Sequence, residues 1–63
     1  MTYNEFKQLD IYKTADVVET FDDNGIEIED SVPDEDLNNM EVKQYSIKSG
    51  WLIVELGESI VEF

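Results

Sequence analysis

Nearly all the side chains in this sequence that can do chemistry are carboxylates, and most of them stand in one stretch. Between Lys13 and Lys43 there is no base, while Asp16, Glu19, Asp22, Asp23, Glu27, Glu29, Asp30, Asp34, Glu35, Asp36 and Glu41 supply eleven acids. Carboxylates in such numbers can serve as a general acid/base pair, as ligands for a cation, or as a row of fixed negative charge. The first use needs a cleft that excludes water, and a chain of 63 residues is too short to enclose one. For the second, Asp22-Asp23-Asn24-Gly25 resembles the opening of a calcium loop. An EF-hand, however, places glycine at its sixth position and glutamate at its twelfth, between helices. Counted from Asp22 the sixth position is Glu27, and the flanking residues read as strand. The third use remains. Residues two apart in a strand lie about 6.5 Å from each other on one face, so Glu27 and Glu29 would form a regular row spaced like successive phosphates of a nucleic-acid strand.

The rest of the composition narrows the chemistry further. The chain has no histidine, cysteine or arginine, so disulfides, Cys/His zinc sites, imidazole acid/base chemistry and His-activated nucleophiles are excluded. No catalytic residue, cofactor or metal is expected. Four lysines against sixteen acids give a net charge of −12, which disfavours direct binding to nucleic acid or to an anionic membrane surface and favours a basic protein partner. The first residues lack the basic start and apolar stretch of a signal peptide. The longest apolar run, Trp51 to Val54, is far below spanning length, so the expectation is a cytoplasmic protein.

These acids must be positioned by a small fold. A hydrophobic content of 41% is too rich for a chain kept disordered by charge alone, and no linker or repeat divides residues 1–63, which read as one small domain. Thr2 and Glu5 form a capping box ahead of a short helix whose Tyr3, Phe6 and Leu9 recur every three residues as a core stripe. From Ala15 the pattern becomes strand. Asn24-Gly25, between Val17–Phe21 and Ile26–Glu29, is a strong hairpin signal, and a two-residue loop there pairs Phe21 with Ile28 and sets Phe21, Ile26 and Ile28 on one face. A four-residue loop would put Phe21 opposite Ile26. Pro33 followed by Asp34, Glu35 and Asp36 suits one acidic helical turn anchored by Leu37.

A second hairpin is predicted from Val42–Lys48 and Trp51–Leu56 around Ser49-Gly50. It pairs Ile47 with Leu52 and Tyr45 with Val54 on the core face. Trp51 and Ile53 then point the other way, with Val42, Gln44, Ser46 and Lys48. Either the tail residues Ile60, Val61 and Phe63 fold over that face, or Trp51 and Ile53 are a contact for a partner. The predicted fold is α+β: a short N-terminal helix packed on an antiparallel sheet of about four strands in two hairpins.

The order of capped helix, acidic hairpin at Asp22 to Gly25, proline-led acidic turn at Pro33 to Leu37 and closing Tyr45 to Leu56 hairpin resembles the small acidic proteins of bacteriophages and other mobile elements. Among these are anti-CRISPR and anti-restriction proteins that act as DNA mimics. The resemblance implies an inhibitor in the bacterial host cell that occupies the DNA or guide-RNA surface of a defence nuclease, such as an RNA-guided CRISPR nuclease or a restriction enzyme. On their own spacing, the partner-binding candidates are Asp22, Asp23, Glu27, Glu29, Asp30, Asp34, Glu35 and Asp36, with Trp51 beside them. Two alternatives stand against it: a non-catalytic phage or plasmid accessory module that binds a protein through the Trp51/Ile53 face, and a homodimer.

Overall fold

The computed structural model describes residues 1–59. The capping box forms as its spacing predicts. The Glu5 amide donates to Thr2 Oγ1 at 3.2 Å, and the Thr2 amide donates to Glu5 Oε1 at 2.9 Å, which fixes the start of helix α1 (Tyr3–Phe6). This helix lasts one turn. The amides of Gln8 and Leu9 reach back only three residues, to Glu5 and Phe6, and Leu9 turns extended to become the N-cap of a second short helix, α2 (Asp10–Lys13). Leu9 therefore leaves the predicted stripe and is 38% exposed, while Tyr12 takes the inner position instead. The Tyr12 ring stands edge-on to both Tyr3 and Phe6, with centroids 6.1 and 6.3 Å away, a favourable arrangement of ring quadrupoles.

Three strands follow: β1 (Val17–Phe21), β2 (Met40–Lys48) and β3 (Trp51–Ser59). Their order in the sheet is β1-β3-β2, with β3 central, antiparallel to β2 and parallel to β1. The α+β class holds, but the sheet is mixed and three-stranded rather than antiparallel and four-stranded. Only the C-terminal hairpin closes as expected. Ser49 and Gly50 both take positive φ, 53° and 81°, as a type I′ turn requires, and Ile47 faces Leu52 while Tyr45 faces Val54.

At Asn24-Gly25 only the glycine has positive φ, so no type I′ turn forms. The Asp22 carboxylate instead accepts from the amides of Asn24 and Ile26, each at 2.9 Å, and this capped loop lengthens the connection. Phe21 consequently meets Glu27 in a single bridge, and neither predicted register is realised. Ile28 is buried and Ile26 is 61% exposed, so Phe21, Ile26 and Ile28 do not share a face. A short helix, α3 (Asp34–Asn38), then forms with Pro33 as its N-cap and Leu37 as its buried anchor, as the acidic turn predicts.

The core lies on one face of the sheet. Phe6, Leu52, Val54 and Leu56 are fully buried, joined by Tyr3, Ile28 and Leu37, and Ile11, Tyr12 and Val42 pack against them. Each such side chain contributes about 1.5–3 kcal/mol of apolar burial. Val42 was expected on the opposite face. Register irregularities on both sides of it set Val42 opposite Leu56 and turn it inward. The expected tail cover, Ile60, Val61 and Phe63, lies outside the described residues.

Candidate binding surface

The acidic segment is held by its buried members Ile28 and Leu37, with Val32 partly buried against the same core. The Ile28 amide donates to the Thr20 carbonyl at 3.1 Å, and Ile28 and Leu37, exposed by only 6% and 3%, seat the chain on the core. Between and beside these anchors Glu27, Glu29, Asp30, Asp34, Glu35 and Asp36 are all exposed. In α3 the acids follow from local physics, because first-turn carboxylates meet unpaired amides, and the Asp36 and Leu37 amides close the turn onto the Pro33 carbonyl at 3.0 Å.

The regular Glu27/Glu29 row does not form. Extended chain stops at Ile28, whose carbonyl accepts from the amides of Ser31 and Val32 at 3.1 and 3.0 Å, so Glu29 already lies in a turn. Folding the chain back gives a different grouping. Glu29 and Asp34 both lie near enough to Tyr3 to act on its hydroxyl, which is pushed far above its ordinary value. Burial is the main cause, the neighbouring Tyr12 hydroxyl the next, and the two carboxylates add to it. The exposed carboxylates thus come from one loop and one helical turn instead of a strand-spaced line.

Asp22 and Asp23 stand apart from those carboxylates. Their loop, with Asn24, borders Met40, Leu56, Gly57 and Glu58 at the far end of β3. Asp22 is partly buried and spends its carboxylate on the loop amides, which makes it a structural acid first. Trp51 is more distant still. Alternation along β3 sends Leu52, Val54 and Leu56 to the core and Trp51, Ile53 and Glu55 to the opposite face. The sheet thus separates Trp51 from Glu29 and Asp34 beside Tyr3, whereas Glu27, bridged to Phe21, falls on the Trp51 side.

On that opposite face, Trp51, Ile53 and Val17 are 49%, 41% and 43% exposed. Parallel pairing adds β1 residues that sequence reasoning left out. Val17 lies opposite Trp51, Glu19 opposite Ile53 and Phe21 opposite Glu55. Val17-Val18-Glu19-Thr20-Phe21 reads as strand, but it has no clean apolar/polar alternation and nothing local says which strand receives it. Across the hairpin, Gln44 donates to Glu55 Oε1 at 3.2 Å.

Among the described residues, no group of three or more acids is arranged to hold a metal ion. None of the described helices is long and apolar enough to cross a membrane. The sequence matches no protein-family model, no curated protein and no solved structure. Exposed carboxylates of one sign on a chain of net charge −12 attract cationic surfaces over roughly a Debye length, about 8–10 Å at physiological salt.

Proposed function

We propose that this protein is a stoichiometric inhibitor that binds the basic, nucleic-acid-binding surface of another protein and excludes DNA or RNA from it. The observation that supports the reading is the exposed carboxylate patch of Glu27, Glu29, Asp30, Asp34, Glu35 and Asp36, carried outward by the buried anchors Ile28 and Leu37. Asp23 extends the negative field at one end of the sheet. The patch would stand in for phosphates by charge density, since its carboxylates are not evenly spaced. Long-range attraction of this kind speeds encounter and sets which partners are tolerated more than it sets final affinity. The resemblance to small acidic phage proteins makes a host defence nuclease, whether RNA-guided or a restriction enzyme, the first target to test. No catalytic step is assigned to this chain.

The test is competition. A candidate nuclease is titrated with the protein in the presence of labelled DNA, at low and high salt. The reading expects DNA to be displaced at a one-to-one ratio and binding to fall steeply with salt. Reversing Glu27, Glu29, Asp34 and Asp36 to lysine removes the inhibition if the reading is right. Full inhibition by a folded charge-reversed variant overturns it.

A further inference from the structure

Among the described residues, the outer face of the sheet is a second surface, away from the Glu29 and Asp34 carboxylates beside Tyr3, with Glu27, bridged to Phe21, at its margin. On the core face the helices cover β3 while Tyr45 and Ile47 at the β2 margin stay 50% and 42% exposed, and the outer face presents Trp51, Ile53 and Val17 together at 41–49% exposure. A strand that is apolar on both faces is usually covered on both. This patch is not purely apolar. Glu19 stands beside Ile53 in the parallel register, and Glu55 follows two residues on along β3. Gln44 occupies Glu55 Oε1. Lys48, opposite Trp51, marks the other end.

From this juxtaposition we infer that the open face docks a cationic amphipathic helix of a partner protein, with aliphatic side chains on Trp51 and Ile53 and lysines or arginines beside Glu19 and Glu55. Geometry fits one helix. Trp51 and Ile53 are separated by about 6.5 Å along the strand, close to the roughly 6 Å rise between helix positions i and i+4. Three strands about 4.8 Å apart make a floor one helix wide. Charge selects the partner's sign, because two acids border the patch and the whole chain carries −12. The same charge opposes a second copy of this chain on that face. The inference does not depend on the acidic patch or on nuclease inhibition.

Trp51 is the single tryptophan of the chain and reports directly on the site. The probe is an amphipathic helical peptide of leucine and lysine, set against a scrambled peptide of the same composition and a leucine/glutamate counterpart. A saturable blue shift of Trp51 emission is expected with the first peptide only. Ile53→Asp makes the protein more acidic, yet it should weaken binding about tenfold or more, as loss of a central apolar anchor does. Glu19→Gln with Glu55→Gln should weaken it more than Asp34→Asn with Asp36→Asn. Circular dichroism checks each variant, and Val17→Asp replaces Ile53→Asp if the latter unfolds. Equal binding of the scrambled peptide, or unchanged affinity in the folded Ile53 or Val17 variant, overturns the proposal. So does a buried-indole emission in the free protein, or a solution mass of two chains that Ile53→Asp halves.

Discussion

Ile28 is tied to Thr20 by a backbone hydrogen bond of 3.1 Å, and the Thr20 side chain beside this contact is buried with no partner for its hydroxyl among the described residues. The bond brings the acidic segment onto the edge of β1, but the hydroxyl is desolvated without compensation. Replacing Thr20 with valine keeps the shape and removes the unpaired group, so Thr20→Val should stabilise the fold by about 1 kcal/mol. Urea unfolding measures this. A destabilised Thr20→Val would mean that the hydroxyl has a partner in solution.

The C-terminal hairpin turns on Gly50. Its φ of +81° disfavours any side chain, and a Cβ there would meet the Asp16 carboxylate group, while the Gly50 carbonyl accepts from the amides of Asp16 and Val17 at 2.8 and 3.2 Å. This glycine therefore closes one hairpin and fixes where β1 begins. Gly50→Ala should cost about 1–2 kcal/mol from the left-handed conformation alone. The double variant with Asp16→Ala should recover only the steric part, leaving the conformational cost visible by thermal melting. Complete recovery would show that the turn is not strained.

Leu37 is the main apolar anchor of the acidic helical turn, and it is 3% exposed. Truncating it removes buried methyl groups and leaves a cavity under α3. Leu37→Ala should destabilise by about 2–5 kcal/mol and release the Asp34–Asp36 carboxylates from their fixed position. In a competition assay the loss of inhibition should then exceed that of a surface variant of equal charge, which separates patch geometry from bare charge.

Alkaline pH should act through Tyr3. Its folded-state pKa is raised, chiefly by burial, so the folded protein holds this proton where the unfolded chain releases it. The associated stability is complete below the unfolded value near 10 and is lost as pH rises beyond it. Tyrosinate absorbance should show one tyrosine whose ionisation coincides with unfolding, and Tyr3→Phe should remove that step and flatten the alkaline limb. Glu5 behaves in the opposite sense. The Thr2 amide, then the Thr2 hydroxyl, hold its carboxyl below the ordinary 4.5, so its contribution is present above that value and lost as pH falls through the lowered one. The difference between wild type and Glu5→Gln should accordingly vanish in strong acid.

Charge opposes folding throughout. At −12 on 63 residues, the compact state carries self-repulsion that salt screens. The melting temperature should therefore rise as ionic strength rises, and Glu27→Lys should raise it at low salt while weakening any cationic partner. A melting temperature indifferent to salt would contradict this balance.

The sequence by itself determined the parts whose causes are local. Thr2 and Glu5 are three residues apart, so their capping box closes within one turn. Ser49-Gly50 can take two positive φ values, so its hairpin and the Tyr45/Val54 and Ile47/Leu52 register follow. Pro33 with three acids and Leu37 defines an anchored turn, and the lysine-free block declares a single-signed surface.

Tertiary structure decided what depends on distant partners. At Asn24-Gly25 the cause is still local: the Asp22 carboxylate accepts from amides two and four residues on and displaces the tight turn, a competition the two-residue signal does not contain. β1 then pairs in parallel with a strand thirty or more residues away, a choice no short window contains. That pairing, together with alternation along β3, puts Trp51 on the side of the sheet away from Glu29 and Asp34, and leaves Glu27 at the margin of the Trp51 face. Composition could count the acids, and spacing could locate them in the chain. Which of them share a surface was set by two buried side chains, Ile28 and Leu37, because burial of apolar area fixes the path of the backbone and the charges follow it.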